Sequence, residues 1–390
     1  MPSMFIGGAE RSLLGLLDAF DYEQFDVSLF LYRHEGEFLS MIPEKVKVLS
    51  PIDEYATFDV PIKHLLKSRL WRFGIARIVS KIAKKAHCIL SGEKAGIWMS
   101  MQFTSRFLQP LLPKIPGDYD VGIMFLGVAD TLVHKVSAKK KITWNHTDYT
   151  DLAPDRRLDL STYKNVKYII SVSPYCTKQF LSCYPELSGK ALTIGNILSE
   201  KLILEQSTKE EIPIEKNEKC FNLLSVGRFS NAKNFDNIPE ICRLILAMGL
   251  SVMWYLIGYG GDEALIRKRI AENGMENRVI ILGKKENPYP YIKACDLYVQ
   301  PSRYEGKCVS VLEAQILNKP VVISNYATSE SQLKNGYDGV IVPLDNEECA
   351  KGIVAVLKDR ELQKQLIENT KKEDYTNAEE LQKLYRLIEA

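Results

Sequence analysis

The chain has 390 residues, 46% of them hydrophobic and 26% charged, with a formal net charge of +2. That length exceeds one ordinary core and points to two domains of a soluble globular protein, and the balanced charge gives no reason to expect a nucleic-acid partner. The apolar runs fall far short of the ~20 residues that span a bilayer, the opening residues lack the basic n-region of a signal peptide, and the eight cysteines form no Cys-x-x-Cys pair, so they read as reduced, buried thiols of a cytosolic protein.

In chain order, Gly7 and Gly8 come first, followed by apolar runs at 27–32, 121–126, 141–144, 168–172 and 191–194. Between the first two runs, residues 61–90 hold eight Lys or Arg and no acid, with apolar residues near helical spacing, including Leu66, Leu70, Phe73, Ile78, Ile82 and Ala86. That pattern has two readings. One is a basic amphipathic helix (Lys63 to Lys85) on an anionic membrane surface; the other is a surface helix whose apolar face packs on its own domain.

The stretch 200–219 is charged, contains Pro213, lacks a strand pattern and serves as the domain boundary. Beyond it, runs at 221–226, 252–257, 279–282, 297–299, 321–323 and 340–342 alternate with helical patterns. Apolar runs of this length separated by amphipathic segments describe buried parallel strands with crossover helices. The fold class is therefore α/β, with two doubly wound Rossmann-like domains facing a cleft. The N-terminal domain spans 1–199, the linker 200–219 and the C-terminal domain 220–376. The tail 377–390 reads as an amphipathic helix that either finishes the second domain or returns to the first.

In open parallel sheets, ligands sit beyond the carboxyl ends of the strands. After the run ending at Val226 comes Gly227-Arg228, with Lys233 five residues after Arg228. A glycine turn followed by a planar guanidinium and a mobile ammonium suits a diphosphate. After the run ending at Val299, Glu305-Gly306-Lys307-Cys308-Val309 leads into a helical pattern that carries Glu313. The amides from Gly306 to Val309 would form a helix N-terminus for an anion, and two flanking carboxylates suit vicinal hydroxyls of a sugar and a ribose. Each residue also has a plainer reading: loop charge for Arg228 and Lys233, helix-dipole complement for Glu305, solvated helix position for Glu313. Asp118-Tyr119-Asp120 spells a metal–diphosphate motif, but it opens a run and so stands at the wrong end of the sheet. With two cations and a helix start available, no divalent ion is required.

The frame Pro301-Ser302-x-Tyr304-Glu305-Gly306 … Leu312-Glu313-Ala314, continuing into Lys319-Pro320 and Asn335-Gly336 … Val342-Pro343, resembles the signature of family-4 retaining glycosyltransferases of the GT-B fold. The loop from Gly227 to Lys233 and the N-terminal Gly7-Gly8-Ala9-Glu10-Arg11 are similar as well. The resemblance implies that Arg228 and Lys233 neutralise the departing donor diphosphate, that Glu305 holds donor-sugar hydroxyls and Glu313 the ribose, and that Lys284 to Tyr289 approaches the base. It also implies that His146, in Trp144-Asn145-His146-Thr147-Asp148 at a strand end, faces the donor sugar, that Gly7 and Gly8 close on the donor phosphates or acceptor, and that the N-terminal domain lies on the acceptor side. Asp148, Ser173 and Asn196 are weaker candidates beside it. One departure is the start: the family's first strand precedes the Gly-Gly loop, and here that strand is expected to be missing.

The implied activity is sugar transfer from a UDP-sugar to a saccharide or lipid-linked acceptor of a bacterial surface polysaccharide, capsular or exopolysaccharide, in the cytoplasm and by extension at the inner face of the cell membrane. A nucleotide-sugar epimerase and a non-catalytic nucleotide-sugar binder are the alternatives. A dinucleotide dehydrogenase is not supported, because Gly258-Tyr259-Gly260-Gly261 lacks the Gly-x-Gly-x-x-Gly spacing.

Overall fold

The computed structural model describes all residues except 95, 210, 211, 213, 215–218 and 390, and only the backbone of Asp151. The chain divides into two compact units. One comprises Met1–Leu13, Phe20–Gly195 and Glu379–Ala390; the other comprises Leu14–Ala19 and Asn196–Ala378.

The first unit contains β1 (Ser28–Leu29), β2 (Lys47–Val48), β3 (Asp118–Met124), β4 (Ser137–Asn145), β5 (Tyr168–Ser171) and β6 (Ala191–Thr193). They form a two-stranded parallel pair, β1-β2, and a four-stranded parallel sheet in the order β3-β4-β5-β6. The run expected at 27–32 is a strand for only two residues. Its second half pairs instead with the opening residues: the amides of Tyr32 and Arg33 donate to the carbonyls of Met1 and Pro2, and Met4 N–H donates to Glu35 O. So Met1 to Met4 is not assigned as a strand but uses its backbone groups much as one would, and Met4 is fully buried. Met124, Leu132, Ile169, Phe180 and Tyr184 fill the core beside the four-stranded sheet.

A fully buried network ties that core together. The Asp159 carboxylate accepts from Tyr149 OH, Tyr184 OH and Gln102 Nε2. Burial lifts its pKa to about 6 against the pull of those donors. The tail forms the helix Ala378–Glu389 and is counted with the first unit from Glu379 onward. There the Tyr385 ring lies 5.4 Å from Phe20 and 4.9 Å from Phe25, and its hydroxyl accepts from Asp21 N–H.

The second unit contains β7 (Phe221–Val226), β8 (Val252–Ile257), β9 (Val279–Gly283), β10 (Leu297–Gln300), β11 (Val321–Ser324) and β12 (Val340–Val342). All are parallel, in the order β12-β11-β10-β7-β8-β9. The order reverses between β7 and β10, the kind of switch point where open sheets hold ligands. Alternate residues feed two cores: Leu223, Trp254, Leu256 and Val299 pack on one face, and Leu224, Ile257, Tyr298 and Ile323 on the other. Continuous apolar runs thus mean burial on both faces, with each Val, Leu or Ile contributing roughly 1.5–3 kcal/mol.

Within the stretch expected as a linker, Glu200–Gln206 is a helix capped by Ser199, with Ile203 buried in the second unit's core. Its polar residues simply occupy the outer face. Pro213 lies outside the described residues.

Candidate functional site

The site of the second unit is built on the carboxyl ends of β7 and β10. A Cβ placed on Gly227 would sit 3.2 Å from Lys233 Cε, so glycine there leaves room for the lysine stem. Gly258, at the end of β8, is tighter: a Cβ would lie 1.9 Å from Gly227 O. The loop then turns through Asn234 in the left-handed region (φ 61°), and the buried Asn234 amide donates to Pro301 O at 2.9 Å. Arg303 grips the same loop from the other side, bidentate to Asp236 at 2.9 and 2.8 Å, with its backbone N–H on Ala232 O. The two loops are thereby locked to each other.

Their meeting point is Lys233. Its Nζ lies 2.6 Å from Glu305 Oε1 and 3.8 Å from Cys308 Sγ. Burial works against the ammonium, but Cys308 and Glu305 outweigh it and raise its pKa. Since burial pushes the Cys308 thiol itself up to about 11, the carboxylate is the operative partner near neutral pH.

Glu305 is in turn placed from below. Ser302 Oγ donates to Oε1 at 2.6 Å, Gln300 Nε2 to Ser302 Oγ at 2.9 Å, and Tyr298 OH to Gln300 Oε1 at 2.9 Å. Tyr298, Gln300 and Ser302 alternate along β10 and its extension, all fully buried. Thr328 Oγ1 holds the Glu305 carbonyl.

The helix Val309–Ile316 starts beside this pair, as expected, but its approach is already occupied in part. Gln332 Oε1 accepts from Cys308 N–H at 2.7 Å, and its amide donates to Cys308 O. Lys307 Nζ is turned onto Ser331 O. Of the expected Gly306–Val309 amide cradle, that of Cys308 is therefore taken by a side chain. Glu313 is fully buried and not solvated; Tyr289 OH donates to its Oε1 at 3.0 Å. Lys284 is exposed, its Nζ 4.9 Å from the Tyr259 ring centre. Arg228 is exposed and has no ion pair among the described residues, so its charge is available.

The structure therefore brings Gly227, Lys233, Glu305, Cys308 and Val309 into one cluster and places Tyr289 with Glu313. Ser302, Gln300, Tyr298 and Gln332 were missed from sequence. The signal for three of them was legible: polar side chains at every second position of an otherwise apolar strand.

In the first unit, His146 follows β4. Its Nε2 lies 2.8 Å from Phe125 O, so Nε2 carries the proton, and its ring packs 4.7 Å from the Phe125 ring. Burial lowers its pKa to about 4. Gly7 precedes the helix Gly8–Ala19; a Cβ there would clash with Glu10 Oε2, whereas Gly8 is open. Asp148 and Ser173 act as helix caps, accepting from Thr150 N–H and Cys176 N–H. Asn196 O accepts from Asn377 Nδ2. Asp118 is the first residue of β3, and Asp120 is exposed and paired with Lys139.

Residues 206–373 match the family of glycosyl transferases group 1. An uncharacterized glycosyltransferase of Methanocaldococcus jannaschii is 26% identical over 224 residues, 56% of each chain. The UDP-Gal:alpha-D-GlcNAc-diphosphoundecaprenol alpha-1,3-galactosyltransferase of Escherichia coli is 27% identical over 159 residues, 40% of this chain and 41% of that one. This chain spans about half the length, or less, of the curated relatives it matches. Among solved structures, HepE of Anabaena in complex with UDP and glucose superposes with a TM-score of 0.65 over 100% of this chain and 98% of that one, at 17% identity. The fold is the α/β fold seen in the GT-B glycosyltransferases.

Proposed function

We propose that the protein is a family-4 retaining glycosyltransferase that moves a sugar from a UDP-sugar to a saccharide or lipid-linked saccharide of a bacterial surface polysaccharide, acting in the cytoplasm. The carrying observation is the Lys233–Glu305 pair at the carboxyl ends of β7 and β10, with exposed Arg228 five residues before Lys233. UDP leaves with two negative phosphates, and preorganised cations aimed at that charge are the largest contribution an enzyme can make to such a step. Lys233 and Arg228 supply them, Glu305 reads donor hydroxyls and Glu313 the ribose. Lys284 and Tyr289 border the base, and in the first unit His146, Gly7 and Gly8 keep the roles given by resemblance. UDP is supported by the nucleotide bound to HepE, and a lipid-linked acceptor by the name of the E. coli relative. Retention of configuration rests on the resemblance.

The test is a panel of nucleotide sugars with purified protein, scored for hydrolysis without acceptor and for transfer with saccharide and lipid-diphosphate saccharide acceptors. Transfer from a UDP-sugar with the anomeric configuration kept is expected. Isomerisation of the donor without any acceptor would instead reveal an epimerase. Because Lys233 and Arg228 offset the leaving charge, turnover is expected to persist in EDTA; a complete loss restored by Mg²⁺ would assign the charge to a metal instead.

A further inference from the structure

The helix Trp71–Ser91 packs one face on its own unit and leaves an apolar stripe exposed on the other. The inner one is where the chain packs: Phe73 and Ser80 are buried, and the Arg77 guanidinium is turned onto the carbonyls of Thr57 and Val60. Lys84 Nζ bonds Ser100 Oγ at 2.7 Å. At about 100° per residue, Trp71, Ile75, Ile78, Ile82 and Ile89 fall on the opposite side. All are exposed: Ile82 is 64% accessible, Ile89 72% and Leu90 87%. Ile97, at the start of the next helix, is 84% accessible. Of the apolar residues that the sequence placed on one face, Phe73 turns inward while Ile78 and Ile82 turn outward.

A solvent face is ordinarily polar, and a contiguous exposed apolar stripe marks an interaction surface. Its charged surroundings identify the partner. Residues 61–92 hold eight Lys or Arg and no acid; Arg77 and Lys84 point inward, and Arg69 is paired with Asp53. Lys63, Lys67, Arg72, Lys81 and Lys85 remain exposed around the stripe. A second copy of the chain would bring two such positive faces together. An anionic lipid surface answers both features, with apolar side chains entering the acyl boundary and lysines meeting the headgroups. No described helix is long and apolar enough to span a membrane, so a helix docked there would lie in its plane.

We propose that the Trp71–Ser91 helix is an in-plane docking element for an anionic bilayer, inserted through Trp71, Ile75, Ile78, Ile82, Ile89 and Leu90. This does not depend on the sugar-transfer reading, because it is measured without donor or acceptor. Full-length protein is floated with vesicles of phosphatidylcholine alone and of phosphatidylcholine mixed with phosphatidylglycerol. At low salt, at least about tenfold more protein is expected on the anionic vesicles, falling as salt is raised. The double variant I82D/I89D is expected to lose that binding, and K81E/K85E to weaken it by about tenfold or more, each with an unchanged melting temperature because the replaced side chains are exposed. Equal recovery on both vesicle types, or I82D/I89D floating like the parent, overturns the proposal. So does a parent dimer that I82D/I89D converts to monomer, since a second copy would then be the occupant.

Discussion

Lys233 and Glu305 stand 72 residues apart in the chain, yet their charged atoms meet at 2.6 Å with side chains only 18% and 10% exposed. A pair this sheltered gains little over an apolar replacement, but breaking it from one side strands a charge. Lys233→Met alone is therefore expected to cost about 3 kcal/mol of unfolding free energy, whereas Lys233→Met with Glu305→Gln recovers most of it. The Lys233 ammonium is held above its ordinary value. Its contribution is thus complete below the unfolded lysine pKa and is lost only as pH rises through the higher folded value, so denaturation curves between pH 6 and 9 should show the same penalty. A double variant no more stable than the single one would show that the two charges are not coupled.

Ser302 touches no ligand position itself but fixes where Glu305 points, making it a positioning residue. Replacing it with Ala removes one hydrogen bond to a charged group, about 1.5–3 kcal/mol. On the proposed function this should lower kcat by roughly tenfold to a hundredfold, with a much smaller change in UDP affinity measured by calorimetry. Ser302→Thr keeps the hydroxyl and should restore most of the rate. If both variants lost UDP binding equally, the role would be one of folding.

His146 gives a pH signature. Its folded pKa, lowered to about 4 by burial, lies below the ordinary 6.5, so between those values the unfolded chain binds the extra proton. Stability is therefore full above pH 6.5 and falls as pH drops toward 4, by up to about 3 kcal/mol. Comparing the parent with His146→Gln isolates this from Asp159, whose raised pKa acts in the opposite sense. A His146 ring signal titrating in NMR near 6.5 would contradict it.

Much of the second unit was legible because burial on both faces writes itself as uninterrupted Val, Ile and Leu. All six of its strands were read, to within a residue or two. Lys233 and Glu305 were singled out because they follow the carboxyl ends of buried strands, and Glu313 because a carboxylate stood in an otherwise apolar helical pattern; the structure pairs the first two and buries the third. The first unit was harder. Lys47–Val48 is two exposed residues with no pattern to detect, and the 27–32 run spends its backbone groups on the opening residues. Gln332 was hidden for a different reason: it reaches Cys308 from 24 positions away, and nothing local distinguishes such a glutamine from a surface one. Of the outward stripe only Ile78 and Ile82 were read at helical spacing, and they were grouped with the inward Phe73, because periodicity alone does not tell which side of the helix meets the core.

Both side-chain contacts of the Glu305 carboxylate fall on the same oxygen, Oε1, which takes Lys233 and Ser302 together. Among the described residues Oε2 takes no side-chain hydrogen bond, and on the proposed function it would meet a donor hydroxyl from one fixed direction. On that function a hydroxyl inverted at a single ring carbon would miss it, and Glu305 would serve as a stereochemical gate as much as an anchor. Competing UDP-glucose against UDP-galactose in the parent and in Glu305→Gln measures how much of the discrimination between epimers that one oxygen carries; an unchanged ratio would place the gate elsewhere.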